Sequence, residues 1–286
     1  MTRTPSAGEG AAPAFVDLHA HSTASDGSRP PRDVVREARR VGLAALALTD
    51  HDTLDGVPEA VAAGAELGVR VVPGVELSAV EDDVETHILG LHLSETGELE
   101  TRLVQLRDMR RSRAERIVVR LNELGVRIEF SAVLEQSAGG AIGRPHIARA
   151  MIAEGWATDF RDAFDRYLGN GRSAYVGKDR LPVRDAIELI HRAGGLAVLA
   201  HPAHAGTRER VAAFVAEGID GVEVRHPSHS AEDTARLLAL VEHFSLVPSG
   251  GSDWHGASDG PRTLGMMRVP AEWLERQDCR VRAGAA

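Results

Sequence analysis

The chain has 286 residues, 43% hydrophobic and only 4% aromatic, with a formal net charge of -9. Such a length exceeds the usual single domain but suits an α/β barrel whose core is filled by Ala, Val and Leu. The negative charge disfavours a protein that coats nucleic acid through phosphate neutralisation, while leaving room for a local basic groove. A single cysteine, Cys279, excludes an intrachain disulfide and fits a reducing cytoplasm. Residues 1–14 are rich in Ala, Gly, Pro and Ser and lack the apolar core of a signal peptide, so they read as a disordered tail. With no apolar run of 18 residues, no membrane span is expected.

Phe15 to His21 opens the first strand and delivers two histidines, His19 and His21, two residues apart. In a strand, positions i and i+2 share a face, so both imidazoles can aim at one point. Asp26 follows on a polar, Gly-containing loop able to fold back over that point. A helix starts at Pro30-Pro31 and stops at Gly42; the apolar run Leu43–Thr49 has the character of a buried parallel strand and ends in Asp50-His51-Asp52. A second helix covers about 57–67. The third strand, 69–78, carries Glu76 near its far end, and a fourth, 86–91, begins with Thr86-His87. No helix separates these two strands, which predicts local antiparallel pairing.

From about Glu98 to Gly125 one long helical stretch carries arginines at 102, 107, 110, 111, 113, 116 and 120, read as a mostly solvated face. Helical, polar sequence continues to about residue 180 without strands, which predicts an inserted helical subdomain over 98–180 between barrel segments 15–97 and 181–286. Alternation then resumes: a helix at 183–193, the strand Leu196–Ala200 ending in His201, a helix at 207–217, Gly221–Val224, a helix at 231–243, and a strand leading to Ser252-Asp253-Trp254-His255.

Alternation of this kind predicts a parallel sheet, and in a closed α/β barrel the active site lies at the C-terminal strand ends. His19, His21, His51, Glu76, His201, Asp253 and His255 all fall there. His87, at the start of an antiparallel strand, reaches the same end. Imidazole with carboxylate suits Mn, Zn or Fe rather than a soft thiolate site. Counting Asp26, nine candidate ligands exceed the needs of one ion and suit two or three sharing bridging carboxylates. Such a cluster can lower the pKa of a bound water and clamp a phosphate. Asp17, Asp50 and Asp52 are expected to support the ligands, because metal-bound histidine usually donates its other N–H to an oxygen.

These segments, in their order, resemble the PHP superfamily (polymerase and histidinol phosphatase), most closely its stand-alone metal-dependent phosphoesterases. The matching stretches are Asp-Leu-His-Ala-His-Ser with Ser-Asp-Gly, Leu-Thr-Asp-His-Asp-Thr, Pro-Gly-Val-Glu-Leu-Ser, Thr-His-Ile-Leu-Gly, Gly-Arg-Pro-His, Leu-Ala-His-Pro, Val-Glu-Val with His-Pro-Ser-His-Ser, and Gly-Ser-Asp-Trp-His-Gly. The resemblance implies a distorted (β/α)7 barrel with a helical insertion. It implies one metal held by His19, His21, Glu76 and Asp253, a second by Glu76, His87 and His201, and a third by Asp26, His51 and His255. Mn is the first expectation, with Zn or Fe open. It further implies hydrolysis of nucleoside 3′,5′-bisphosphates or short 5′-phosphorylated RNA by a metal-bridging hydroxide held by Glu76 and Asp253. The alternatives are a histidinol-phosphate-type phosphatase, a hydrolase of another bond, and a non-catalytic metal- or nucleotide-binding module.

In Gly-Arg-Pro-His, Arg144 and His146 stand at a predicted helix start, and a helix N-terminus with a guanidinium suits a phosphate. Lys178 and His229 are candidates for the same task. Two departures from the family pattern stand out: Arg225-His226 where a tyrosine is expected, and His201-Pro202-Ala203-His204, which lacks glycine after the proline. A small-molecule nucleotide is the expected partner, short RNA a second one, and no membrane or obligate protein partner is indicated.

Overall fold

A computed structural model describes residues 14–81, 84–137, 142–177, 181–257 and 262–284. All of the expected N-terminal tail except Ala14 lies outside the described residues, as does Lys178.

Strand and helix alternate from the start: β1 (Phe15–Asp17), α1 (Pro31–Val41), β2 (Ala45–Leu48), α2 (Val57–Leu67) and β3 (Arg70–Glu81). Pro31, whose ring presets a helical φ, opens α1, and Gly42 ends it in the left-handed conformation at φ 79°. β4 (Val84–Leu91) follows β3 and pairs with it antiparallel, with Ser78 opposite His87. The helical stretch comprises α3 (Gly97–Glu123), α4 (Phe130–Ser137), α5 (Arg144–Ala153), the short α6 (Phe160–Ala163) and one π-helical turn, Phe164–Leu168. Then come α7 (Val183–Arg192), β5 (Leu196–Leu199), α8 (Arg208–Ala216), β6 (Gly221–Arg225), α9 (Ala231–His243), β7 (Val247–Gly250), β8 (Val269–Pro270) and α10 (Ala271–Gly284).

The strands are ordered β7-β6-β5-β4-β3-β2-β1-β8. β1, β2 and β3 are mutually parallel, as are β5, β6 and β7, while β4 opposes both its neighbours. Just past β1 and β7 the chain closes the ring. Leu18 N–H donates to Gly250 O at 3.0 Å, Asp253 N–H to His19 O at 2.9 Å and His21 N–H to Trp254 O at 2.9 Å. Ala20 and Trp254 form a parallel bridge. Strands β1 to β7 thus make a seven-membered barrel, distorted by the reversed β4; β8 is a short antiparallel addition on β1.

Small residues fill the barrel. Val16, Leu18, Ala45, Ala47, Val72, Leu89, Leu91 and Val198, from five strands, meet in one buried cluster. The opposite phase of β2, Leu46 and Leu48, packs outward on Val34, Val35, Ala38, Ala60 and Ala63 of α1 and α2. α3 serves two cores. Leu99, Leu103 and Leu106 join Val183, Ile187 and Ile190 of α7 in a cluster distinct from the lumen set, whereas Ala114, Ile117, Val118 and Leu121 join Ile147 and Met151 in a separate helical core.

Candidate metal centre

Backbone pairing explains why the ligand candidates converge. His19 and His21 flank Ala20, Asp253 and His255 flank Trp254, and Ala20 is bridged to Trp254. Ala20 and Trp254 both pack into the outer apolar cluster, so their four polar neighbours project to the other side. A second parallel bridge joins His51 to Glu76. Glu76 and Ser78 share one face of β3, and His87 lies opposite Ser78, so the reversed strand carries His87 to the same place. His201 follows β5 and Asp253 follows β7, and both have left-handed backbones, with φ 31° and 50°, which non-glycine residues seldom adopt.

The donor atoms form three groups around Glu76. In the first, His19 Nε2 and His21 Nε2 are 3.1 Å apart, and Glu76 Oε2 is 3.3 Å from each. Asp253 Oδ1 lies 3.4 Å from His19 Nε2 and 3.1 Å from His21 Nε2. Bonds of about 2.0–2.2 Å to one ion place neighbouring donors about 2.8–3.6 Å apart in tetrahedral or octahedral geometry, so these four atoms fit a single divalent cation. In the second group Glu76 Oε1 is 2.8 Å from His87 Nδ1 and 3.0 Å from His201 Nε2, and the two imidazoles approach to 3.3 Å. The third is looser: Asp26 is 3.2 Å from His255 Nε2, 3.9 Å from His21 Nδ1 and 4.0 Å from His51 Nε2. His21 thus joins the Asp26, His51 and His255 set. His51 also has its Nδ1 3.2 Å from Glu76 Oε2, within a set formed with Glu76 and His87. His21 Nδ1 and His51 Nδ1 are buried yet make no hydrogen bond among the described residues, and the His51 nitrogen faces Glu76 Oε2 as a lone pair reserved for a cation would.

Burial pushes the Glu76 carboxyl up, but the imidazoles of His51, His87 and His19 outweigh it and hold the group well below the usual carboxylate range. Burial lowers His87 and His255, yet facing carboxylates prevail: Glu76 lifts His87 to about 10, and Asp26 lifts His255 to about 9. Burial takes His51 the other way, to about 4. The facing carboxylates thus favour the charged form of His87 and His255, while burial keeps the His51 ring neutral.

Sequence reasoning missed the oxygen behind His19. Glu223 on β6 is fully buried; its Oε1 lies 3.1 Å from His19 Nδ1 and its Oε2 accepts the His201 backbone N–H at 2.7 Å. Asp17, Asp50 and Asp52 support the centre through loops instead of imidazoles. Asp17 accepts backbone N–H groups of His19, Ser252 and Gly265; Asp50 accepts Ser22 N–H and the Ser22 and Ser25 hydroxyls; Asp52 accepts Ser78 N–H and pairs with Arg110. Asp253 Oδ2 receives Arg262 at 2.5 Å and stands 3.4 Å from His226 Nε2, two further residues the sequence did not single out as functional.

A cavity of about 280 Å³ opens beside the centre, between the barrel rim and the helical stretch. Asp26, His51 and His87 line one side, and Arg110, Arg113, Arg144 and His146 another. Arg144 and His146 thus face the cavity. Arg144 Nη1 donates to Leu168 O and Asn170 Oδ1, while His146 Nδ1 accepts the Gly143 N–H and caps α5. His229 is elsewhere: Nδ1 donates to Val224 O and Nε2 accepts Ala203 N–H, so both nitrogens tie loops together and neither is free for a phosphate. The arginines of α3 are not uniformly solvated, since Arg110 and Arg113 turn inward.

The PHP domain model matches residues 17–193. The chain belongs to the PHP domain family. This PHP protein is 36% identical over 245 residues to a 5′-3′ exoribonuclease of Haemophilus influenzae, spanning 84% of this chain and 89% of that one. It is 34% identical over 259 residues to a 3′,5′-nucleoside bisphosphate phosphatase of Chromobacterium violaceum, spanning 88% and 91%. A solved structure of a proposed metal-dependent phosphoesterase from Bifidobacterium adolescentis superposes with a TM-score of 0.83 at 32% identity, covering 94% of this chain and 98% of that one.

Proposed function

We propose that this PHP protein hydrolyses phosphate esters of nucleotides, releasing the 3′-phosphate of nucleoside 3′,5′-bisphosphates or trimming short 5′-phosphorylated RNA. The observation that carries this reading is the shared carboxylate Glu76, with donor groups on both its oxygens, opening onto an arginine-walled cavity. His19, His21, Glu76 and Asp253 would hold one divalent cation, Glu76, His87 and His201 a second, and Asp26, His51 and His255 with His21 a third. Mn is the first choice and Zn or Fe the alternatives, since imidazole with carboxylate suits all three. When bound, the cations supply Lewis acidity and an activated water. Glu223 keeps the His19 lone pair turned inward, and Arg262 holds Asp253 in place. Arg144 and His146 would take a phosphate that is not cleaved, and the segment 98–180 would act as the cavity's outer wall. No helix among the described residues is long and apolar enough to cross a membrane, and the lone Cys279 suits a reducing cytoplasm.

The test is phosphate release by Mn-reconstituted protein from adenosine 3′,5′-bisphosphate, 5′-phosphorylated short RNA, histidinol phosphate and an aryl phosphate. Turnover of the bisphosphate or RNA that disappears in His19→Ala and Asp253→Ala supports the reading. Metal-loaded protein that turns over none of them refutes it.

A further inference from the structure

A second groove reaches the rim of the barrel beside the metal centre, and the nucleotide reading leaves it unused. It has a volume of about 740 Å³ and runs down the outside of the barrel, with α1 on one side and Trp254, Ala257, Thr263 and Leu264 on the other. The loop after β1 divides it from the cavity beneath the helical stretch: Asp26 faces that cavity and Arg29 faces the groove. Arg29, just ahead of α1, and Asp33, Arg36, Glu37 and Arg40 on it share one face by their three- and four-residue spacing. That face follows the whole helix, about 16 Å for 11 residues. Its upper end abuts the chain that carries His255. Arg29 Nε donates to Gly256 O at 3.2 Å, and Ser28 N–H donates to His255 O at 2.8 Å.

The face is basic in an acidic chain. Residues 29–40 hold five arginines, at 29, 32, 36, 39 and 40, against Asp33 and Glu37, a net of +3 where the whole chain carries -9. Arg32 turns to Glu66 of α2. Arg36 pairs with Asp33 and Arg40 with Glu37 within the helix, but the two arginine side chains stay 60% and 70% exposed. Exposed pairs of this kind hold weakly, so a polyanion can draw the arginines away from them.

Charge, length and position together fit one occupant, since single-stranded nucleic acid is bound by basic grooves that follow its backbone. Building on the nucleotide phosphoesterase reading above, we infer that the α1 face, through Arg36 and Arg40, carries the 3′ continuation of a short RNA substrate. A strand with its 5′ end in the cavity beneath the helical stretch and its next phosphate over the cations leaves the centre on the far side of the Asp26 loop. Its way out passes His255 and Gly256, where the groove begins. The groove then separates two activities of one centre: RNA uses it, whereas a mononucleotide bisphosphate is hydrolysed without touching it.

The experiment measures kcat/KM of Mn-loaded protein for adenosine 3′,5′-bisphosphate and for 5′-phosphorylated RNAs from dinucleotide to hexanucleotide, over a series of salt concentrations. Wild type is expected to gain with RNA length. Arg36→Gln/Arg40→Gln removes two phosphate contacts from an exposed surface. For the hexanucleotide its log kcat/KM should fall less steeply with log salt, by about 1.4, because each contact to a single strand contributes about 0.7. At low salt it should lose about 10-fold on that RNA and keep its rate on the bisphosphate. Asp33→Asn/Glu37→Gln, which releases the same arginines, should shift RNA the opposite way. Thermal melting reports on the fold of both variants. RNA turnover that ignores length in wild type, a salt slope shared by wild type and the arginine variant, or an equal loss on RNA and bisphosphate overturns the inference. A wild type that cleaves the bisphosphate but no RNA overturns it too and leaves the phosphoesterase reading standing, whereas one that cleaves neither removes both.

Discussion

Replacing Glu223 by glutamine asks how far the metal centre depends on the oxygen behind His19. The carboxylate accepts twice, from the His19 side at 3.1 Å and from the His201 backbone N–H at 2.7 Å, with no exposure to water. Glutamine keeps the volume but turns one acceptor into a donor. Whichever way the amide sits, an N–H then confronts another N–H, either on the imidazole or on the His201 backbone. Losing one hydrogen bond to a charged group costs about 1.5–3 kcal/mol. Removing the outer partner of a metal-binding imidazole typically lowers affinity about 10- to 100-fold, or about 1.4–2.8 kcal/mol. The two routes agree, so Glu223→Gln should bind Mn about 10- to 100-fold more weakly than wild type. Competition against a fluorescent chelator at neutral pH measures this, and melting of the metal-free proteins shows whether the fold survives. A folded variant binding Mn within about threefold of wild type would refute the claim that Glu223 orients His19.

Two further outcomes follow from the same geometry. Without metal, carboxylates hold His87 at about 10 and His255 at about 9, so both carry protons at neutral pH that a cation must displace. Their raised values stabilise the metal-free fold fully below the unfolded value of about 6.5, and this contribution fades as pH climbs through the folded values. The gain in melting temperature on adding Mn should therefore grow with pH over that window; a gain that stays flat or shrinks contradicts the pairing described. Gly251→Ala would put a Cβ 2.4 Å from His19 Cβ and 2.5 Å from His19 N. It should cost about 1–3 kcal/mol or more in chemical denaturation and weaken metal binding, since β7 could no longer close on the His19 backbone; wild-type stability would disprove that closure.

Much of the barrel was legible because its cues are local: apolar runs of strand length, Gly42 and Gly68 as helix stops, and polar residues at strand ends. The antiparallel turn from β3 to β4 was legible for the same reason, as no helix fits between them. What escaped were residues whose role depends on a partner distant in sequence. Glu223 sits inside the apolar Gly221–Val224 run, 204 positions from the histidine it serves. Its one local signal is a charge in the middle of a buried strand, which cannot remain unpaired. Arg113 carried a similar signal, since it lies in helical phase with Leu106, Ile117 and Leu121 of the buried stripe and not on the solvated face. His229 shows the limit from the other side: a histidine beside a proline-containing loop reads as available, whereas two backbone groups engage both of its ring nitrogens.

The reversal of β4 is what makes a shared centre attainable. Had β4 run parallel to β3, its C-terminal end near Leu91 would stand at the rim. His87 would lie four residues, about 13 Å, further down the barrel. Turned over, the strand starts at the rim, sets His87 opposite Ser78, and brings its Nδ1 to 2.8 Å from Glu76 Oε1. The second oxygen of Glu76 faces the opposite way, to His19, His21 and His51. One carboxylate can bridge two cation sets only because ligands reach it from both strand directions. The distortion of the barrel and the chemistry of the site are in this sense one feature, traceable to β4 starting at Val84, only three positions after β3 ends at Glu81.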